Sequence, residues 1–155
     1  MIPDTLPRRV AHIIERVVYH LARLFLALNF LAYGASKLLN LQFAWGYEQF
    51  DRPVRQLGGM GLVWTFFAYS RPYQICIGVV EIVPALLLLS QRTTALGAVI
   101  YLPVIVNVVL VDLCYTVRGG TESALMILAV NLLLLGLERS RILGACRCLI
   151  ARPGR

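Results

Sequence analysis

Acidic side chains are scarce in this sequence. Eight Asp and Glu stand against fifteen Lys and Arg, and charged residues make up only 15% of the 155. A chain so poorly charged, 59% hydrophobic and with a mean hydropathy of +0.73, lacks the polar surface that a soluble domain of this length exposes. The two histidines, His12 and His20, join no cluster of acids that would hold haem or a tight metal site, and there is no glycine-rich phosphate loop and no Ser/His/Asp arrangement. Internal repeats are absent as well, which argues against a small transporter or channel subunit. No A-x-A site follows the first apolar run and Arg23 interrupts it, so that run reads as a span rather than a cleavable signal. The net charge of +7 sits beside apolar stretches, where it points to orientation and anionic lipid rather than to nucleic acid.

What is present is apolar sequence in helix-sized lengths. Four stretches of close to the ~20 residues that cross ~30 Å of hydrocarbon are expected to span, at about 17–39, 72–90, 93–115 and 120–138. The turns Ser90-Gln91-Arg92-Thr93 and Arg118-Gly119-Gly120-Thr121 are short, which forces antiparallel neighbours. The expected fold is therefore all-α: one membrane domain over 1–155, an antiparallel four-transmembrane-helix bundle. Small residues (Gly34, Ala35, Ser36, Gly78 and Gly97) would let its helices approach closely. His12 to Val18 would make a short interfacial helix ahead of the first span, and the basic tail 139–155 would rest on the inner leaflet. With both termini inside, the cytoplasmic side carries Arg8, Arg9, Arg16, Arg92, Arg139, Arg141, Arg147, Arg152 and Arg155. Lys37, Arg52, Arg55, Arg71 and Arg118 lie on the other side, and nine against five favours that orientation in a bacterial inner membrane.

Residues 42–70 form the one long connection. They hold eight of the fifteen aromatics, both tryptophans (Trp45 and Trp64) among them, and break at Asp51-Arg52-Pro53 and at Gly58-Gly59-Met60-Gly61. Such a segment lies along the membrane interface, either as an aromatic belt or as a lid over a cavity. Ser70 is the expected N-cap of the next span, with Pro72 in its first turn.

Charge inside the spans is the functional signal. A cation in a transmembrane helix costs roughly 2.5–3.5 kcal/mol on insertion scales, so it faces the bundle interior and has a partner. Arg16, Arg23, Phe30 and Lys37 share a heptad stripe. Converted to depth at ~1.5 Å per residue, Asn29, Glu81, Asn107 and Asn131 form a central layer flanked by Arg23, and Lys37 and Asp112 form an outer one. Matching Cα depths pairs Arg23 with Glu81 and Lys37 with Asp112, with Arg71 competing for either acid. Gln74, Gly78, Glu81 and Ala85 share one face of the second span, and Tyr101 and Asp112 share one of the third. Pro103 shares another with Asn107, and would kink the helix toward a cavity. Polar groups here serve as glue between helices or as a site. Single asparagines favour glue. A midplane carboxylate such as Glu81 is a default proton, ion or ligand site.

The cysteines form no metal motif, since Cys146-Arg147-Cys148 has the wrong spacing for a CxxC pair and reads as an interfacial pair open to acylation. Cys76 and Cys114 fall near the outer ends of neighbouring helices, either as a disulfide or redox pair or as two small core residues.

From Arg23 to Gly34-Ala35-Ser36-Lys37-Leu38, then the aromatic segment, Glu81 and Arg92, residues 19–138 resemble the DoxX-like family of small four-helix membrane proteins. Pro84-Ala85 and Ser90-Gln91-Arg92 stand where that family usually has glycines. The resemblance implies a membrane subunit of a quinone-linked oxidoreductase or a member of an antioxidant assembly, and in the wider superfamily an assembly chaperone or cargo receptor. The expected function is therefore a pocket for a quinone-like or other small apolar ligand, working in redox chemistry with a protein partner or as a homo-oligomer. Glu81 and Arg23 would be its catalytic pair, and Asn29, Tyr33, Lys37, Asn107, Asp112, Trp45 and Trp64 its ligand-binding residues. The alternative is a non-catalytic assembly or scaffolding protein whose charges only set helix register.

Overall fold

Ser70 and Pro72 start the helix on which the rest of the chain is arranged. The Tyr73 N–H donates to Ser70 Oγ at 3.4 Å, and α4 (Arg71–Leu89) runs from that cap. The computed structural model describes residues 5–117 and 119–150, and Arg118, Arg152 and Arg155 of the charge tally above, together with the side chain of Arg8, lie outside the described residues. Among these there are seven α-helices and no strand: α1 (Thr5–Leu38), α2 (Ala44–Tyr47), α3 (Gly59–Tyr69), α4, α5 (Thr94–Cys114), α6 (Thr121–Leu137) and α7 (Arg139–Ile150).

Three of them, α1, α4 and α5, are long and apolar enough to cross a bilayer. The fourth candidate is the pair α6 and α7, which bends by 64° at its break. The first span and the expected interfacial helix before it are one continuous rod. Its 34 residues extend about 50 Å, more than ~30 Å of hydrocarbon accommodates. The surplus is at the N-terminal end, where Arg9 to Val18 are all exposed. At the other end α1 stops on Asn40, which sits at φ 61°. Asparagine tolerates this left-handed conformation, and Leu41 N–H bonds back to Ser36 O at 2.7 Å to close the terminus.

Each of the four long helices packs on two others: α1 on α4, α4 on α5, α5 on α6 and α6 back on α1. Each contributes a buried stripe at helical spacing. On α4 it is Gln74, Gly78, Glu81, Ala85 and Leu88. Leu26, Ala27, Phe30, Leu88, Ala98, Tyr101, Ile105, Ile127 and Leu134 make the common core. The opposite faces expose Leu21, Leu28, Val79, Leu86, Leu110 and Leu132, an apolar exterior that suits contact with lipid.

The small residues act where α1 crosses α4. A Cβ on Gly34 would meet Gly78 O at 2.9 Å, and one on Gly78 would meet Gly34 O at 3.0 Å. Gly97 lies likewise against Pro84 O, at 3.0 Å. The aromatic segment folds as two helical pieces, α2 and α3, joined through a 3-10 turn at Val54–Gln56, and α3 also rests on α4. Phe43 stacks on Phe67 with ring centroids 4.8 Å apart, which fixes the connection before α2 to α3.

Candidate functional site

Lys37 and Glu81 meet in the interior. Lys37 Nζ donates to Glu81 Oε1 at 2.8 Å and to Oε2 at 2.6 Å, with the two residues only 5% and 4% exposed. This replaces both pairings expected from depth, Arg23 with Glu81 and Lys37 with Asp112. Helical side chains lean toward their own N-terminus. Lys37 follows the Gly34–Gly78 crossing on α1 and therefore leans back toward it. Glu81 follows the same crossing on α4 and leans back from the other side. Two Cα atoms at different depths thus bring their charges together, which Cα depth alone does not register.

Arg71 is occupied elsewhere. Its Nη1 donates to Lys37 O at 2.8 Å and to Gln74 Oε1 at 3.1 Å, and its Nη2 donates to Leu38 O. A guanidinium therefore caps the C-terminus of α1, where free carbonyls and the helix dipole favour a cation. Gln74 Nε2 donates to Tyr47 OH at 3.3 Å, and Tyr47 OH donates to Asn40 Oδ1 at 3.0 Å. Four side chains, Arg71 and Gln74 of α4, Tyr47 of α2 and Asn40 just after α1, thus secure the turn that carries Lys37. Their signal in the sequence is slight, because Arg71 satisfies backbone carbonyls that every residue carries and the side-chain links join positions distant in the chain.

Beside the ion pair lies a cavity of about 340 Å³. Phe30, Tyr33 and Lys37 line it from α1, Glu81 from α4, Tyr101, Ile105, Val108 and Asp112 from α5, and Ser123, Ala124 and Ile127 from α6. Val117, Gly119 and Gly120 line it between α5 and α6, and Met60 and Trp64 of α3, with Gln42, complete the wall, so the aromatic segment has the geometry of a lid. Trp64 Nε1 donates to Gln42 O at 3.1 Å, fixing that lid to its own connection. A smaller lobe of about 90 Å³ shares Lys37, Glu81, Asp112 and Trp64 and adds Phe43, Phe67 and Asn107. Lys37 Nζ lies 5.9 Å from the centres of both the Tyr33 and the Phe43 rings.

Of the expected site residues, Tyr33, Lys37, Glu81, Asp112 and Trp64 come together here, and Asn107 reaches the smaller lobe. The others fall elsewhere. Trp45 is exposed, and Asn29 donates to Phe25 O within its own helix at 2.8 Å. Asn131 is buried and donates across to Ala98 O at 3.3 Å, as interhelical glue. The central polar layer is thus not a layer. Pro103 and Asn107 share an exposed face of α5, so Pro103 does not face the cavity. Cys76 and Cys114 are free and exposed, neither a disulfide nor core residues.

Arg23 is distant from this site in its contacts. It is buried, at 8% exposure, and lies over the Tyr19 ring at 5.7 Å. Its Nε and Nη1 have no hydrogen-bond partner among the described residues. Tyr19 OH donates to Glu138 Oε1 at 2.6 Å, and Glu138 accepts as well from Arg141, whose Nη1 also reaches Gln91 O at 3.0 Å. This second polar centre holds the α6–α7 bend. Glu138, buried at the end of α6, follows the apolar run in the sequence and there reads as a solvated terminus.

The uncharacterized protein YwoB of Bacillus subtilis (strain 168) is 40% identical over 125 residues, which cover 81% of this chain and 79% of that protein. The chain belongs to the YwoB family. No family model matches the chain, and no solved structure matches it. This YwoB-family protein thus combines a buried ion pair with a cavity that its aromatic segment helps to wall.

Proposed function

We propose that this chain is a DoxX-like integral membrane protein of four antiparallel spans, α1, α4, α5 and α6, with both termini cytoplasmic in a bacterial inner membrane. Its cavity binds a quinone-like or other small apolar ligand in membrane redox chemistry, acting with a protein partner. The observation that carries the reading is a buried, doubly hydrogen-bonded Lys37–Glu81 pair at the wall of a 340 Å³ cavity otherwise lined largely by aromatic and aliphatic side chains. Such a site offers an apolar ring aromatic and aliphatic walls and offers its oxygen atoms charged partners at one side. Glu81 orients the ligand or handles its proton, Lys37 takes the role first expected of Arg23, and Asp112 supplies a second carboxylate in the same cavity. The resemblance to DoxX-like membrane subunits agrees with this assignment.

The test is native mass spectrometry of the gently solubilised protein, followed by solvent extraction of bound quinone and lipid. A stoichiometric small molecule that Glu81→Gln loses, from a bundle that stays folded, is the expected result. The isosteric amide still accepts a hydrogen bond from Lys37 but leaves that ammonium without its counter-charge, so ligand loss is read only from protein whose helicity and melting transition are retained. A Glu81→Gln protein that keeps its ligand and its activity would sink the assignment.

One observation favours the second reading, an assembly or scaffolding protein. The ion pair stands one helical turn from the Gly34–Gly78 crossing, where it also sets the register of α1 on α4. In that case replacing both Lys37 and Glu81 with apolar residues restores the abundance that each single replacement lowers, and no ligand is recovered from any variant.

A further inference from the structure

The smaller lobe does not end at the ion pair. Its Val63, Phe67, Asn107 and Val111 also line an open groove of about 470 Å³ between α3, the start of α4 and α5. The groove continues past Tyr73 and Tyr115 on the exterior that faces lipid. Cavity, lobe and groove therefore adjoin in sequence, charged at one end and apolar at the other. Asn107 stands where the lobe meets the groove. It is exposed on an apolar span and makes no hydrogen bond to any described residue, a costly placement in hydrocarbon unless something polar passes it.

We propose that the groove is a lateral portal, and that the ligand is an amphiphile with one polar ring or headgroup and a long hydrocarbon chain. The head enters from the bilayer between α3 and α5, passes Asn107 and stops against Lys37 and Glu81. The chain stays in the groove, its end in lipid. Only the identity of the head rests on the function proposed above. A wholly enclosed ligand would need no side opening, and a water-soluble one would not enter through an apolar groove.

The experiment uses the full chain with Trp45→Phe in phosphatidylcholine vesicles, which leaves Trp64 as the one tryptophan. Trp64 lines both cavity and lobe, and a quinone ring in contact with indole quenches its emission. Titrations compare decylubiquinone with the same benzoquinone lacking the chain. Leu62→Phe, at a residue that lines the groove but neither the lobe nor the cavity, fills the portal. The expected result is affinity for the chain-bearing quinone at least about tenfold weaker, with the chain-less quinone unchanged within about twofold. Retained binding of the chain-less ring also reports an intact bundle. If the filled portal leaves both affinities unchanged, the portal is overturned and the head site stands.

Should that variant fail to fold, Leu62→Arg places a charge in the same groove, away from the ion pair, and decides by the same comparison. Should neither quinone quench Trp64 in the open protein, the quinone reading fails, and the portal is then judged with phosphatidylcholine brominated in its acyl chain. Quenching relieved by the filling substitution upholds the portal, and quenching that is absent or unchanged overturns it.

Discussion

Lys37 carries its charge into the bundle on a flexible stem, and the arrangement is stable only because Glu81 receives it with both oxygens. Removing one partner of a buried pair strands the other charge, at a cost of about 3–5 kcal/mol, whereas replacing both with apolar groups of similar volume is often neutral. Lys37→Met should therefore lower the melting temperature sharply in detergent, Glu81→Met should do the same, and the double replacement should recover most of the loss. Additive losses would mean that the two side chains are not coupled. At this scale the sequence was only partly legible. That charges inside the spans needed partners followed from the apolar surroundings, and both acids brought to the cavity, Glu81 and Asp112, were found that way. The pairing was not legible, because depth along a helix locates a Cα and leaves open which way a long side chain leans from it. Arg71 was missed as a cap for a related reason: its partners Lys37 O and Leu38 O belong to every residue type alike.

Between elements, two devices fix α1 on α4. The first is the close crossing at Gly34 and Gly78. A methyl group on Gly34 would come within 2.6 Å of Ile82 and 2.9 Å of Gly78 O, and backbone cannot give way as a side-chain end can. Gly34→Ala should destabilise by about 1–3 kcal/mol, the usual range for overpacking, read as a drop in melting temperature. Gly136→Ala is the control, because a Cβ there meets nothing within 4 Å. The second device is the Arg71 cap. Arg71→Met keeps most of the stem but strips two hydrogen bonds from the end of α1 and a third from Gln74, with an expected loss of about 2–4 kcal/mol. Hydrogen exchange should show it as fraying confined to residues 35–41. Uniform loss of protection through the protein would contradict a local cap. Elements of this kind were plain in the sequence, since uninterrupted apolar length sets a span and Ser70 with Pro72 sets its start. The joining of the interfacial helix to the first span was not, because the charged Arg16 interrupts the apolar sequence just where the span is expected to begin, although a helix tolerates it.

Across the whole molecule, the direction of each helix follows from how many cross. If α1, α4 and α5 each cross once, α5 ends on the side opposite the N-terminus. The position of α7 then depends on α6 alone. Glu138 holds the 64° bend, tied to α1 through Tyr19 and bridged by Arg141 to Gln91 in the turn between α4 and α5. Both ties lead to the end of the bundle where α1 enters, and on the four-span proposal α6 crosses and brings α7 to them. Single-cysteine variants test this count directly. One keeps only Cys114, at the end of α5, and the other keeps only Cys148, exposed on α7. In sealed right-side-out vesicles, a membrane-impermeant maleimide should label the Cys114 protein and spare the Cys148 protein until the vesicles are opened. Labelling of both from outside would mean that α6 turns back without crossing, leaving three spans. Labelling of Cys148 alone would keep four spans but reverse the orientation, placing the aromatic lid and the portal beside it in the inner leaflet.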